Sequence, residues 1–219
     1  ASNAIMPAIV AEAYRDSRIV AFSTGCVYAF ADVTGSGSVE TDPLSPPGEY
    51  ANSCVGRERV FEYYSEKFST PGVLFRLNYA IDLRYGVLHD IATRVLNGRP
   101  IDVSMSHVNV IWQGDANTLA LRCLTQATVP TLPLNVTGPE VVSVRWLAEA
   151  FGRKLQREPV FVGTETETCW LSDASKANGI FGPPSVSLER MIAWTADWVA
   201  HGGVSHNKPT GFEKRDGAF

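Results

Sequence analysis

The sequence predicts an α/β protein built around a parallel or mixed sheet. Apolar runs of strand length alternate with longer segments of helical period, the pattern of a sheet covered by helices. The run at residues 18–24 is apolar until its final hydroxyls, as in a buried parallel strand with a polar carboxyl end. The length of 219 residues, with 45% hydrophobic and 19% charged side chains, predicts one domain, or one domain with a small lobe.

In the first half of the chain, helices and strands follow one another between polar loops. The predicted elements are a helix at 4–15, a strand at 18–24, a helix at 50–68, a strand at 72–78 and a helix at 87–96. Residues 31–48 form a loop rich in Gly, Ser and Pro. On the helix at 50–68 we expect Val55, Phe61, Tyr64 and Phe68 to be the core contacts.

The same alternation continues to the last helix. The predicted elements are a strand at 108–112, a helix at 115–124, a strand at 134–136, a helix at 144–155, a strand at 159–163 and a final helix through Trp194 and Trp198. Ser143 and Ser187 are the expected N-caps of the last two helices. The segment from His201 onward is polar and rich in Gly.

Charge, hydropathy and cysteine content exclude several classes of protein. A net charge of −4 gives no basis for a nucleic acid or an anionic membrane as partner, and no apolar run reaches about 18 residues. We expect neither a signal peptide nor a disulfide framework, so the four scattered cysteines indicate a reducing cytoplasm. The four histidines show no metal-ligand spacing, and we expect no metal site.

Three segments carry a possible chemistry: residues 22–28 (Phe-Ser-Thr-Gly-Cys-Val-Tyr), residues 47–50 (Pro-Gly-Glu-Tyr) and residues 76–79 (Arg-Leu-Asn-Tyr). Here the sequence resembles the extended short-chain dehydrogenase/reductase family, the NAD-dependent nucleotide-sugar epimerases and dehydratases. The resemblance continues in order through Asp115, through residues 134–138 (Leu-Asn-Val-Thr-Gly) and through residues 172–177 (Ser-Asp-Ala-Ser-Lys-Ala).

The resemblance implies a more detailed fold. It implies the later strands and helices of an NAD-binding, Rossmann-like, doubly wound sheet, with a small C-terminal α/β substrate lobe. Residues 1–100 would belong to the dinucleotide-binding domain. Residues 101–219 would form mainly the substrate lobe, with some strands and helices returning to the main sheet.

The resemblance also implies roles for individual residues. Thr24 would hydrogen-bond the reacting sugar oxygen and Tyr50 would be the acid/base, provided that its pKa falls from about 10 toward neutrality. The residues implied in cofactor binding are Ser23, Tyr50, Cys54, Asn78 and Tyr79. Thr24, Arg84 and His107 would contact substrate; for Arg84 a surface position, and for His107 a satisfied structural histidine, are the competing interpretations.

The first departure from the family pattern concerns the residue four positions after Tyr50. The family has a lysine there, which lowers the pKa of the tyrosine and grips the nicotinamide ribose, whereas this chain has Cys54. Arg57 could lean back toward Tyr50, but we expect Arg57, Glu58 and Arg59 to form a solvated helix face.

Two other departures concern the ligands. Aligned on Asp115, the arginine that holds a substrate diphosphate in relatives is Val108, which leaves room for a smaller polyol, sugar acid or ketone. The Gly-rich turn that cradles the cofactor pyrophosphate is absent. Gly35-Ser36-Gly37 follows no apolar strand and is interpreted as a flexible loop.

The sequence therefore favours an NAD-dependent epimerase or dehydratase-like oxidoreductase acting on a sugar-like alcohol, with NADP as an open alternative. The chain would begin after the cofactor loop, so activity would belong to a longer parent and this chain alone would be inactive. A non-catalytic dinucleotide-binding sensor or scaffold, and an inactive fragment, are the other hypotheses. By the resemblance, a homodimer would form through helices 4–15 and 50–68.

Overall fold

The structure, a computed structural model, describes residues 2–217 and has the alternating α/β order that the sequence predicts. The helices are α1 (Ile5–Ala13), α2 (Glu49–Phe68), α3 (Val87–Leu96), α4 (Gln113–Cys123), α5 (Val144–Leu155), α6 (Ser175–Phe181) and α7 (Leu188–Ala200). The strands are β1 (Ile19–Thr24), β2 (Ala31–Asp32), β3 (Gly72–Leu77), β4 (Ala80–Ile81), β5 (Pro100–Asp102), β6 (His107–Val108), β7 (Ile111–Trp112), β8 (Leu132–Val136), β9 (Val142–Ser143), β10 (Val160–Val162) and β11 (Thr168–Cys169).

The main sheet is parallel and has the order β1-β3-β8. α1 and α2 pack on one face, while α4 and α6 cover the other, where Val73 and Phe75 join Ala116 and Leu119 in one apolar cluster. Within residues 2–217, β1 is an edge strand, and Phe22 on it is 47% exposed. This layered arrangement confirms the predicted Rossmann-like α/β fold.

A second core lies beside this sheet. It is formed by α3, α5 and α7 together with the short parallel pair β5 and β10. α3 precedes residue 100 in the chain but packs in this core, whereas β8 follows residue 100 and joins the main sheet. No helix within residues 2–217 combines the length and the apolarity that crossing a membrane requires.

Local signals in the sequence account for several element ends. The hydroxyl of Ser143 accepts from the amide of Trp146, and that of Ser187 accepts from the amide of Arg190, each at 3.3 Å, which confirms both predicted N-caps. The predicted strand at 108–112 is instead two short strands, β6 and β7, which pair with different partners.

The predicted core face of α2 was wrong in part. The buried residues of this helix are Ala51, Cys54, Glu58 and Ser65. They recur at helical spacing and face the sheet. Glu58 can be buried on this face because Arg76 on β3 donates to its carboxylate. The loop around Gly37 is also anchored: the amide of Ser38 donates to the carbonyl of Leu171 at 2.9 Å, and a Cβ on Gly37 would lie 2.6 Å from the backbone of Leu171.

Candidate functional site

Thr24 lies at the carboxyl end of β1, where open parallel sheets place their ligands. Its hydroxyl accepts from the amide of Cys26 at 3.2 Å and so caps the short 3-10 helix Gly25–Val27. A Cβ on Gly25 would lie 2.9 Å from Asn78, so only glycine lets the turn after Thr24 pass this close to β3. The turn fixes the position of the Thr24 side chain.

Tyr50 lies in the first turn of α2 and is 41% exposed. Its phenol lies beside the thiol of Cys54, one turn along the helix, and is close enough to Cys26 for that thiol to affect its ionisation. Cys26 in turn contacts Thr24 and interacts with Cys54. The structure therefore brings Thr24, Cys26, Tyr50 and Cys54 together at one edge of the sheet.

The surroundings of Tyr50 favour its neutral form. Burial, followed by the neighbouring thiols of Cys54 and Cys26, raises the pKa of Tyr50 to about 12, against a lowering by the charge of Arg57. The phenol is therefore protonated at neutral pH, and without a further positive charge it can donate a proton more readily than it can accept one.

Arg57 lies on the same side of α2 as Tyr50. One terminal nitrogen of its guanidinium donates to the side-chain oxygen of Asn3 at 3.3 Å. Its buried Nε has no hydrogen-bond partner among residues 2–217. A cation with an unused donor thus lies within electrostatic reach of the phenol.

Glu58, which the sequence analysis assigned to a solvated face, is completely buried. Its carboxylate accepts from Arg76 on β3, with a shortest distance of 2.7 Å, and also from the hydroxyl of Ser23 on β1. The expectation failed because Arg76 turns toward α2 and compensates the carboxylate inside the protein. Ser23 is buried with them.

The same network extends to β8. The other terminal nitrogen of Arg76 donates to the phenol oxygen of Tyr28 at 2.6 Å, and Tyr28 donates to the side-chain oxygen of Asn135 at 2.8 Å. Burial raises the pKa of Tyr28 to about 12 despite the lowering effect of Arg76. The three strands and α2 are thus joined beneath the Thr24–Tyr50 edge. No motif in the sequence indicated this network.

Asn78 and Tyr79 follow β3; Asn78 is buried and Tyr79 is partly buried. The Asn78 side-chain amide donates to Asn109 at 2.8 Å and to the carbonyl of Trp170 at 3.2 Å. Tyr79 has a φ of +39°. Burial raises the pKa of Tyr79 well above its usual value, and Cys26 is the first of the groups that add to this effect. Asn78 therefore joins the end of β3 to the loop between β6 and β7 and to the residue that follows β11.

Arg84 and His107, predicted with Thr24 to contact substrate, have protein partners of their own. The guanidinium of Arg84 is exposed and forms two hydrogen bonds to Asp82, at 2.8 and 3.0 Å. His107 lies on β6 with its Nδ1 3.0 Å from the hydroxyl of Ser106, and burial lowers its pKa. The amide of His107 also donates to the thiol of Cys169, which lies in one apolar cluster with Cys26. Within the described part of the chain, no three His, Cys, Asp or Glu side chains are grouped to hold a metal ion.

The described part of the polar C-terminal segment reaches the turn that precedes α2. The guanidinium of Arg215 stacks over the ring of Phe30 at 4.1 Å and donates to the carbonyl of Thr168 at 2.6 Å. Further along, Gly217 lies so close to Gly48 that a Cβ on Gly48 would be 2.7 Å from its Cα. The segment therefore links β11 to the turn that precedes Tyr50.

No family model and no curated protein matches this sequence. Solved structures do match. UDP-glucose 4-epimerase from Thermus thermophilus, in complex with NAD, is 21% identical with a TM-score of 0.74, over 89% of this chain and 68% of that one. UDP-glucuronic acid 4-epimerase from Bacillus cereus, in complex with NAD, is 17% identical with a TM-score of 0.78, over 91% and 67%.

A third match is dTDP-glucose 4,6-dehydratase from Streptomyces venezuelae, solved with NAD bound. It is 18% identical with a TM-score of 0.75, over 91% of this chain and 66% of that one. The chain thus spans about two thirds of the length of each of these proteins. At these identities the matches establish the fold that this chain shares with NAD-dependent sugar epimerases and dehydratases.

Proposed function

We propose that this protein is an NAD-dependent, epimerase- or dehydratase-like oxidoreductase acting on a sugar or sugar-like alcohol. The observation that carries the proposal is the grouping of Thr24 and Tyr50 at the carboxyl end of β1. A hydroxyl and a phenol at this edge can hydrogen-bond one alcohol oxygen and exchange its proton. The fold shared with sugar epimerases and dehydratases supports the same assignment.

The residues at the edge fit the nicotinamide side of NAD. When bound, NAD supplies a hydride acceptor for the carbon of the alcohol. Tyr50 remains accessible there, and Arg57 supplies a positive charge near it. The buried thiol of Cys54 cannot supply the charge of a lysine. Ser23, Asn78 and Tyr79 would support the cofactor side through the network and the turns that position this edge.

The chain's own residues would handle the proton as follows. Thr24 holds the alcohol oxygen by its hydroxyl, and its orientation is fixed by the turn at Gly25. Tyr50 takes the alcohol proton when ionised and returns it when a ketone is reduced. Because its pKa is about 12, the ionised fraction at neutral pH is small, and Arg57 is the cation that increases it.

The proposed substrate is smaller than a nucleotide diphosphate sugar. The position that carries the diphosphate-binding arginine in the resemblance is Val108, which is fully buried on β6. A polyol, a sugar acid or a sugar ketone would not need that anchor. Arg84 and His107 stay predictions as substrate contacts.

A non-catalytic sensor or scaffold that binds a dinucleotide is the second candidate. The observation favouring it is the pair of Cys54 and Tyr50, because a thiol in place of a lysine leaves the phenol with a pKa of about 12. Such a protein would bind NAD and signal the cofactor without converting a substrate.

We also propose that the protein is a homodimer through α1 and α2. Several large apolar side chains on or beside these helices are exposed: Ile5, Met6, Ile9, Tyr14 and Tyr63. A second copy would cover them in a four-helix contact, which removes apolar surface from water.

The test begins with calorimetric titration of NAD into the 219-residue chain, followed by a panel of sugar alcohols with NADH formation as readout. Because the Gly-rich turn is absent from these 219 residues, we expect NAD binding and slow turnover only in protein that also carries that turn. There Tyr50→Phe and Thr24→Ala should each lower turnover by about 100-fold. Tyr63→Phe, an exposed tyrosine on the same helix, is the matched control and should keep the activity of the unmodified chain.

The outcomes separate the two candidates. Binding with no turnover of any alcohol supports the sensor and contradicts the enzyme. Absence of NAD binding by folded protein that carries the Gly-rich turn contradicts both. Equal losses in the Tyr50 and Tyr63 variants would show that Tyr50 has no special role.

A further inference from the structure

A groove of about 360 Å³ lies beside the second core, between α3 and the C-terminal segment. Its walls are residues of α3, the residue that precedes β5, and part of the segment after α7: His89, Asp90, Thr93, Arg94, Arg99, Ser205, Asn207, Lys208 and Pro209. The volume is within the range of small-molecule sites. The groove is formed by other elements than those that carry Thr24 and Tyr50.

The charge of the groove is opposite to that of the whole chain. Its lining contains three cations, Arg94, Arg99 and Lys208, and one carboxylate, Asp90, whereas the chain has a net charge of −4. Arg94 is partly compensated, since it donates to Glu213 at 3.4 Å. Arg99 and Lys208 have no ion-pair partner among residues 2–217 and are exposed at the rim. The unpaired positive charge would attract an anion.

The floor of the groove contains an unsatisfied buried group. His89 is almost completely buried, and its Nε2 lies 3.0 Å from the hydroxyl of Ser205. Its Nδ1 has no hydrogen-bond partner within the described residues. An unpaired buried nitrogen is costly, and it marks this part of the groove wall as polar.

The remaining polar groups suit hydroxyls better than a second anion. Thr210 donates to Asp90 through its amide at 3.0 Å and through its hydroxyl, and both bonds fall on Oδ2. Oδ1 of Asp90 is therefore open to a hydroxyl donor, with Thr93 and Asn207 as neighbouring polar groups in the same lining. The lining of the groove therefore combines cations with partners for hydroxyls.

We propose that this groove binds a small phosphorylated polyol or sugar, with the phosphate held by Arg99 and Lys208 and a hydroxyl directed to Asp90. Phosphate matches the guanidinium and ammonium groups in charge and hydrogen-bonding capacity. The site is independent of the function proposed above, since it needs neither NAD nor Tyr50.

The test is calorimetric titration of the full chain at about 150 mM salt, where weak surface charge effects are screened. Glucose 6-phosphate, inorganic phosphate and glucose are the probes. We expect saturable binding of the ester, weaker binding of phosphate and none of glucose. The double variant Arg99→Glu with Lys208→Glu should lose affinity for the ester by about tenfold or more, as loss of charged contacts predicts.

The matched control is Arg153→Glu with Lys154→Glu, which makes the same change of charge on two residues in the last turn of α5. It should bind the ester as the unmodified chain does, and circular dichroism checks that both double variants are folded. Equal losses in the two double variants would overturn the proposal in favour of a general charge effect. Absence of saturation, or binding of free phosphate but not of the ester, would also overturn it.

Discussion

The guanidinium of Arg76 donates to both carboxylate oxygens of Glu58, at distances of 2.7 to 3.2 Å, inside the protein. The two side chains are 3% and 0% exposed. They connect the central strand β3 to α2, the helix that carries Tyr50. Because both charges are removed from water, each depends on the other for compensation.

We therefore predict that Glu58→Ala lowers the free energy of unfolding by about 3–5 kcal/mol, because it leaves the charge of Arg76 buried and unpaired. Urea unfolding of the full chain measures the change. Glu62→Ala is the control: its ion pair with Arg59 on the same helix is largely exposed, and its loss should cost about 1 kcal/mol or less. Equal losses in the two variants would contradict the assigned role of the buried pair.

Periodicity and local signals predicted the strands and helices well. β1 and β3 were evident from continuous apolar runs, and the starts of α5 and α7 from the capping residues Ser143 and Ser187. These features depend on residues close in sequence, so a single sequence contains the information. The pairing order β1-β3-β8 depends on contacts between distant segments, which periodicity does not encode.

The site was predictable only in part for the same reason. Thr24 and Tyr50 were identified from the family resemblance, but the partner of Glu58 is 18 residues away on another element. One signal was present: Glu58 follows Cys54 by four residues, so the two share a helix face. A buried position for Cys54 thus implied a buried carboxylate, which in turn required a cation such as Arg76.

The pKa of Tyr50 gives a prediction for pH and for Cys54→Lys. Activity that needs the ionised phenol should rise about tenfold per pH unit below a pKa of about 12, with no plateau between about pH 7 and 10. A lysine at position 54 places a positive charge beside the phenol and should lower its pKa by about 1–3 pH units. The pH profile of NADH formation, and the phenolate absorbance, measure the change.

Cys54→Met is the control for this experiment, since it adds length without charge at the same buried position. It should leave the pKa of Tyr50 high. If Cys54→Lys and Cys54→Met titrate alike in folded protein, the missing charge is not what keeps the phenol protonated.

Arg57 gives a third prediction, because its charge lowers the pKa of Tyr50. Arg57→Gln should raise that pKa further and reduce turnover at about pH 8 by several-fold, up to about tenfold. The pH profile should keep its shape but move to higher pH, which separates loss of charge from general damage.

Arg59→Gln, two residues along the same helix with an exposed side chain, is the control and should move neither the profile nor the rate. A matching shift in both variants would refute a specific effect of Arg57.

The fourth prediction concerns the exposed apolar face of α1. Ile9 is 54% exposed and lies one turn from Ile5, so a second copy packed on α1 and α2 would bury both side chains. Ile9→Asp would place a charge in that contact, and burying an unpaired charge there would oppose association. We expect the unmodified chain to sediment as a dimer at micromolar concentration and Ile9→Asp as a monomer, measured by sedimentation velocity.

Leu121→Asp introduces the same charge at a side chain that is 72% exposed on α4, outside the proposed contact, and should leave the dimer intact. A monomeric unmodified chain, or dissociation by both substitutions, would show that α1 does not form the interface.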